Sequence, residues 1–189
     1  LPIGNGRMGA MIFGTPEIEH LQLNENTLYS GEPSSAFKDI EITDSGFEKV
    51  VGDIKNGQYS NAEQYVKGHW MGSSDQAYQP LGDLYLDFSH DEITDYKRSL
   101  NLSESLARVS YKYNGVNYTR EYLASHPGQV IAMKFMSDKP GSINFKAYFG
   151  SVHPTIVQTT VGLTELVMTG QVPGFLTNRT LEEIEEKNY

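Results

Sequence analysis

The chain has 189 residues, with 24 acidic and 15 basic side chains, a formal net charge of −9 and no cysteine. This length suits one sizeable domain, and such a chain buries enough apolar surface to fold without disulfide bonds. The acidic balance, without a basic cluster in the sequence, argues against nucleic acid or a membrane as a main partner. No apolar run approaches the roughly 20 residues of a membrane-spanning helix.

The first 33 residues predict two strands followed by a polar loop. Ala10 to Phe13 is a continuous apolar run between two glycines, which is typical of a strand covered on both faces. Glu17 to Leu23 alternates polar and apolar residues, as a half-buried strand does. Asn24 to Pro33 is crowded with hydrogen-bonding side chains, and we interpret it as a docking or site-forming segment.

A glycine motif, Gly4 to Gly9, has the G-x-G-x-x-G spacing of dinucleotide-binding sites. Such a site needs the glycines between a strand and the first turn of a helix, whose N–H groups hold the pyrophosphate. Here an apolar run typical of a strand follows, so we predict a backbone turn. The five histidines are dispersed, without the spacing of metal ligands. We therefore predict neither a cofactor nor a metal.

Residues 45–70 change to a helical period. A first helix is indicated by apolar residues on one stripe, namely Phe47, Val50, Val51 and Ile54. Ser60 and Glu63 have the spacing of a capping box, which predicts that a second helix begins there and continues to about Gly68. The sequence therefore predicts a short helical hairpin inserted into a fold that is otherwise built from strands.

From Gly82 onward the pattern is that of strands. Asn114-Gly115 is the strongest short hairpin signal in the chain. It predicts three cross-strand pairs, Tyr113 with Val116, Tyr111 with Tyr118, and Val109 with Arg120.

A type II turn is predicted at Asp138 to Gly141, between strands at Val130–Met136 and Ser142–Phe149. Thr164–Val172 is expected to form a further strand. Strands at this spacing predict a mainly β fold, an antiparallel β-sandwich with the inserted helical hairpin. We expect the sandwich domain to span residues 1–179, and Thr180 to Tyr189 to be an acidic tail or the start of a continuation.

Four blocks of sequence resemble glycoside hydrolase family 95, the inverting α-L-fucosidases. They occur in the family's order, at Leu1–Gly14, Leu21–Pro33, Tyr78–Leu86 and Tyr118–Pro127. The resemblance implies the N-terminal β-sandwich of a longer enzyme, whose (α/α)₆ barrel carries the catalytic Glu, Asp and Asn residues. We therefore assign no catalytic residue to this chain and expect it to be inactive alone. Its implied partners are that barrel and, through the whole enzyme, a fucosylated glycan.

The candidate residues for a substrate edge or a domain interface are Asn24, Glu25, Asn26, Thr27, Tyr29 and Trp70. Glu25 is the best local carboxylate, but an inverting glycosidase needs two carboxyl groups about 6.5–9.5 Å apart, and spacing in sequence does not select a pair. Trp70 either stacks on a sugar or fills a core. The alternative function is therefore a stand-alone carbohydrate-binding module.

Overall fold

The computed structural model describes residues 1–30, 40, 42–71 and 77–173. The chain divides into two compact units, one formed by Leu1–Leu28 with Tyr78–Gln171 and the other by Tyr29–Ala77 with Val172–Tyr189. The predicted acidic tail at 180–189 lies outside the described residues, as does the part of the predicted polar loop from residue 31 onward. Among the described helices, none is long and apolar enough to cross a membrane.

The first unit is built from strands, and every pairing described between them is antiparallel. In chain order they are β1 Pro2–Gly4, β2 Met8–Ile12, β3 Ile18–Glu25, β4 Gly82–Asp87, β5 Ile93–Asn101, β6 Leu106–Tyr113, β7 Val116–Ser125, β8 Val130–Ser137, β9 Lys146–Gly150, β10 Val157–Val161 and β11 Glu165–Thr169. The first sheet has the order β1-β2-β3-β4-β9 and the second the order β5-β6-β7-β8, while β10 and β11 form a two-stranded ribbon. The predicted antiparallel sandwich is confirmed.

The second unit contains two described helices, α1 Asp44–Lys55 and α2 Tyr59–His69. They lie in sequence between β3 and β4, which pair with each other, so the predicted inserted helical hairpin is confirmed. Helix α1 begins at a side-chain cap, because Thr43 Oγ1 accepts a hydrogen bond from the Gly46 N–H at 3.1 Å.

The predicted capping box of the second helix is wrong. Helix α2 begins at Tyr59, its N-cap is Gln58 without a side-chain cap, and Ser60 therefore lies inside the helix. The physical reason is an earlier start: the Ala62 N–H already donates to the Gln58 carbonyl at 3.2 Å. Glu63 pairs instead with Lys67 one turn later, at 2.6 Å.

The Asn114-Gly115 hairpin has the predicted register. Strands β6 and β7 pair Tyr113 with Val116, and the two further predicted pairs follow from the same alignment. Both turn residues have positive φ, 47° for Asn114 and 81° for Gly115. This is the conformation of a type I′ turn, whose twist matches that of the strands.

The strand predicted at Ser142–Phe149 begins later than expected, at Lys146. The turn at Lys139 to Ser142 is present, with the Ser142 N–H donating to the Lys139 carbonyl at 3.4 Å and Gly141 at φ 75°. However, it does not join two paired strands, because β8 belongs to the second sheet and β9 pairs with β4 in the first. Phe145 explains the crossing, since its ring lies 5.0 Å from that of Phe88 and 5.4 Å from that of Phe135.

The core lies between the two sheets. Its buried apolar members are Ala10, Ile12 and Leu21 from the first sheet and Ala107, Val109, Tyr111, Tyr118 and Tyr122 from the second. The prediction that Ala10 to Phe13 is covered on both faces is wrong, because Met11 is 40% exposed and Phe13 is 41% exposed. Their side chains lie on the outer face of the first sheet, where alternation directs every second residue.

A buried ion pair crosses this core. Glu19 of β3 and Arg120 of β7 are 0% and 1% exposed, and Arg120 Nη1 lies 3.4 Å from Glu19 Oε2. The same carboxylate oxygen accepts a hydrogen bond from the Tyr122 hydroxyl at 2.5 Å. The guanidinium packs over the Phe88 ring, with its Cζ 3.8 Å from the ring centroid. The pair therefore joins the two sheets through their interior.

The same pair fixes the turn between β2 and β3. Glu19 Oε1 accepts the Gly14 N–H at 2.7 Å, and Arg120 donates to the carbonyl oxygens of Thr15 and Pro16 at 2.9 and 2.6 Å. Buried backbone groups in a turn need such partners, because leaving them unpaired costs free energy. The turn is thus held by side chains of both sheets.

Substitution Arg120→Met tests this arrangement. Removing one partner leaves the Glu19 carboxylate buried and unpaired, so we expect the free energy of unfolding to fall by about 3–5 kcal/mol. The measurement is urea denaturation followed by circular dichroism. Arg108→Met is the matched control, because its ion pair with Glu121 on β7 is half exposed and should cost about 1 kcal/mol or less. Similar losses in both variants would contradict the account.

His90 is a second buried titratable group in the core. Its Nδ1 lies 2.9 Å from the Tyr111 hydroxyl oxygen, and its ring stacks on Tyr113 with centroids 4.3 Å apart. Burial, together with the positive charge of Arg120, lowers the pKa of His90 below its ordinary value of 6.5. The folded protein therefore disfavours the protonated imidazole.

This lowered pKa predicts a loss of stability in mild acid. Below about pH 6.5 the unfolded chain binds a proton at His90 more readily than the folded chain does, so the free energy of unfolding decreases as the pH is lowered. Above that pH His90 is neutral in both states and adds no pH dependence. We expect His90→Asn to flatten the decrease between pH 7.5 and 5.5, as measured by urea denaturation. His126→Asn, at an exposed position, should retain the wild-type slope. Equal slopes in all three proteins would refute the assignment.

Candidate functional site

One end of the first unit gathers the polar residues of the predicted loop. We define the polar corner as Asn5, Arg7, Glu25, Asn26 and Thr27. The corner forms where the hairpin between β1 and β2 meets the end of β3: the Asn26 N–H donates to the Arg7 carbonyl at 2.9 Å. The predicted candidates Glu25, Asn26 and Thr27 are therefore together, and Asn24 directly precedes them on β3.

Glu25 is the centre of the polar corner, and both of its carboxylate oxygens are occupied. Oε1 accepts from Arg7 Nε at 2.9 Å, and Oε2 accepts from the Thr27 hydroxyl and N–H at 2.6 and 2.7 Å. The Thr27 hydroxyl, followed by Arg7 and the Thr27 N–H, lowers the pKa of Glu25 to about 2. A general acid needs a pKa near the working pH, so this carboxylate is suited to fixing the loop and not to proton transfer.

Asn5 is a member of the polar corner that was not among the residues predicted from the sequence. It is 6% exposed, and its Oδ1 accepts the N–H groups of Arg7 and Met8 at 3.1 and 2.8 Å. Its Nδ2 donates to the Ser125 carbonyl on β7 at 3.0 Å, which attaches the first hairpin to the second sheet. One signal in the sequence could have identified this residue, because Asn5 stands between two glycines. The side chain of asparagine in a turn often bonds backbone N–H groups two or three positions later.

The polar corner keeps the Arg7 side chain directed to solvent, while the Asn26 amide donates to the Gly6 carbonyl at 3.3 Å. The Arg7 side chain is 62% exposed although its Nε is engaged, and Asn26 and Thr27 are exposed as well. Asn24 is half-buried opposite Gly9, and its side chain has no hydrogen bond to another described residue. The arrangement is thus a rigid polar surface with an arginine, a residue type enriched at interfaces.

An apolar cavity of about 210 Å³ opens beside Asn24. It lies between the two sheets, and Leu23, Leu81 and Met133 are among its lining residues. Specific sugar binding depends on several precisely placed polar groups, and this lining provides few. The cavity is therefore not suited to a glycan.

Tyr29 and Trp70, the two remaining candidates, belong to the second unit. Tyr29 is 47% exposed. Trp70 follows helix α2, half-buried, with its ring perpendicular to that of Tyr65 at 6.0 Å. Its indole N–H is buried, and within the described part of the chain it has no hydrogen-bond partner. This environment favours a packing role for Trp70 over an open platform for a sugar.

A row of four aromatic rings crosses the outer face of the first sheet. Phe13, His20, Tyr85 and Tyr148 stack successively, with centroids 4.3, 4.7 and 5.1 Å apart and interplanar angles of 16–19°. Asp83 Oδ1 lies 2.6 Å from His20 Nε2. Because the ring faces cover one another, the row presents mostly ring edges to solvent. Sugar stacking requires a free ring face, so only the outer faces of the two terminal rings remain for it.

Among the described histidine, aspartate and glutamate side chains, no cluster of three or more could hold a metal ion. The carboxylates of the polar corner and the core are instead engaged with arginine, hydroxyl and N–H donors.

Comparison with known proteins relates this chain to fucosidases. It is 37% identical over 160 residues to Alpha-L-fucosidase 2 of Arabidopsis thaliana, an alignment that covers 80% of this chain and 18% of that protein. It is 27% identical over 148 residues to Probable alpha-fucosidase A of Aspergillus oryzae, covering 71% of this chain and 19% of that protein. The chain therefore spans about a fifth of the length of these curated relatives.

A family model matches almost the whole chain. The match covers residues 1–187, and the family is described as glycosyl hydrolase family 65, N-terminal domain. The family match agrees with the β-sandwich of the first unit and with the fucosidase relatives. The prediction of an N-terminal domain from a fucosidase-like glycoside hydrolase is therefore confirmed. The chain belongs to the family of glycosyl hydrolase family 65 N-terminal domains.

Proposed function

We propose that this chain is the non-catalytic N-terminal domain of an α-L-fucosidase, an enzyme that removes terminal α-L-fucosyl groups from glycans. The observation that carries the proposal is the alignment with proteins named as α-fucosidases, in which this domain accounts for about a fifth of the length. In this reading the reaction belongs to the remaining part of the longer protein, and the domain has a structural role.

The chemistry of the polar corner supports a structural role. Glu25, the best carboxylate candidate in the sequence, is ionised and has three donors on its two oxygens. Glu19 is enclosed in the core, with 0% exposure. Hydrolysis of a glycoside requires one protonated carboxyl group beside the leaving oxygen and a second group that activates water. Neither of these two glutamates is placed for that work.

The catalytic partner we propose is an (α/α)₆ barrel in the same polypeptide, acting with inversion as in glycoside hydrolase family 95. The polar corner is the surface we propose for contact with that barrel or for the edge of its active site. It offers exposed Arg7, Asn26 and Thr27 on a framework that is already fixed, so little conformational entropy would be lost on docking.

A stand-alone carbohydrate-binding module is the other function that the sequence suggested. The module considered there would stack a sugar ring on an exposed aromatic face. Trp70 is half-buried, and the row from Phe13 to Tyr148 presents mostly ring edges. These observations favour the scaffold over the module.

Hydrolysis of an aryl α-L-fucoside tests the proposal directly. We expect the purified 189-residue chain to release no aryl alcohol above the uncatalysed rate, because the groups needed for acid–base catalysis are assigned elsewhere. A longer protein in which this domain is followed by the proposed barrel should turn over the same substrate. Turnover by the chain alone would refute the non-catalytic role, and a longer protein that acts on another sugar only would refute the fucosidase assignment.

A further inference from the structure

The outer face of the second sheet carries a shallow groove of about 430 Å³. We define the basic groove by the residues that line it and by one neighbour in the same sheet. The lining residues are Lys97, Ser99, Arg108, Ser110, Thr119, Glu121 and Met136, and the neighbour is Lys134, which is paired with Glu121. All of them lie in the first unit, on the face opposite the core.

Strand register assembles the groove from positions that are far apart in the sequence. One row runs across the four strands from Ser99 through Arg108 and Glu121 to Lys134. The adjacent row begins at Lys97 of β5 and continues through Ser110 and Thr119 to Met136 of β8. Residues directly opposite each other on paired strands share a face, so the cations converge on one surface.

The groove is positively charged although the chain as a whole is acidic. It holds three cations, from Lys97, Arg108 and Lys134, against the single carboxylate of Glu121. Arg108 neutralises that carboxylate, with Nη2 and Nε at 2.5 and 2.9 Å from the same oxygen. Within the described part of the chain, Lys97 and Lys134 have no ion-pair partner. Two exposed ammonium groups therefore remain for an anionic ligand.

The floor of the groove consists of short hydroxyl side chains and, on β8, the side chain of Met136. Ser99, Ser110 and Thr119 lie between the longer cationic residues, and their hydroxyl groups have no hydrogen bond to any other described residue. A hydroxyl group both donates and accepts, which matches the hydroxyl groups of a sugar. The face thus combines unpaired positive charge with free hydroxyl groups.

The spacing of the cations indicates the size of the ligand. Lys97 lies on β5 and Lys134 on β8, three strand spacings apart, which is about 14 Å. A single sulfate or phosphate ion does not span that distance. We propose that the basic groove binds an acidic oligosaccharide, a chain of several sugars that carries carboxylate or sulfate groups. This binding is independent of the proposed scaffold role.

Two other polyanions fit the groove less well. Single-stranded nucleic acid binds by stacking its bases on aromatic side chains as well as by charge, and the lining residues include no aromatic ring. An acidic peptide would use the lysines, and its amide and carboxylate groups can bond a hydroxyl, but it presents fewer donor–acceptor hydroxyl groups to this row than a sugar chain does. Both are included below as competing probes.

Calorimetric titration of the 189-residue chain tests the proposal. The probes are a chondroitin sulfate tetrasaccharide, its desulfated form, a neutral tetrasaccharide, an oligo-glutamate peptide and an oligo-thymidine. We expect saturable binding of the acidic tetrasaccharides only, weakened by added salt because exposed charges are screened within about 10 Å at 0.1 M. Binding of the sulfated form alone would identify sulfate as the recognised group, and equal binding of both forms would identify the carboxylate.

Three variants locate the site. Lys97→Gln with Lys134→Gln should weaken binding roughly tenfold, the scale expected for two exposed charge contacts. Lys139→Gln with Lys146→Gln is the matched control, since it removes the same charge from exposed positions outside the groove and should leave affinity unchanged. Glu121→Gln removes the one anion and should strengthen binding. The proposal is overturned if the acidic tetrasaccharides do not bind, or if the peptide or the oligonucleotide binds equally well. It is also overturned if both double variants lose the same affinity, or if Glu121→Gln binds the tetrasaccharides more weakly than the wild type.

Discussion

The first unit depends on one buried ion pair, between Glu19 of the first sheet and Arg120 of the second. Removing two charges from water is costly, and the cost is offset here because the pair also bonds backbone groups. Those groups belong to the turn at Gly14–Pro16, which leads from β2 into β3. The pair therefore joins the two sheets and positions the strand that ends in the polar corner. Hydrophobic burial alone is non-directional and would not fix this turn.

The polar corner repeats the same principle at the surface. Glu25 holds Arg7 and Thr27, and Asn5 bonds both its own hairpin and β7. In both places a side chain that could serve catalysis is used to hold irregular backbone. In the function we propose, these two carboxylates therefore serve the structure of the domain. The exposed Arg7 side chain is the group of the corner that we propose for contact with a neighbouring domain.

Local signals made part of this structure predictable. The Asn114-Gly115 hairpin followed from two adjacent residues, and the helical hairpin followed from a change of period. The crossing after β8 did not follow, because it depends on the packing of Phe145 between rings from two sheets. The Asn5 contact with Ser125 joins residues 120 positions apart, and the basic groove joins strands by register. Such long-range features have no signature within a short stretch of one sequence.

The central claim is that Glu25, the carboxylate of the candidate loop, serves structure and not proton transfer. The most direct test is an NMR titration of the Glu25 side-chain carboxyl carbon in the 189-residue chain. The account predicts that this group stays ionised through mild acid and titrates at a pKa of about 2, because Thr27 and Arg7 stabilise the charged form. A pKa above the ordinary value of 4.5 would contradict the account, since it would mean that the clamp is absent and that the carboxyl group is suited to donate a proton.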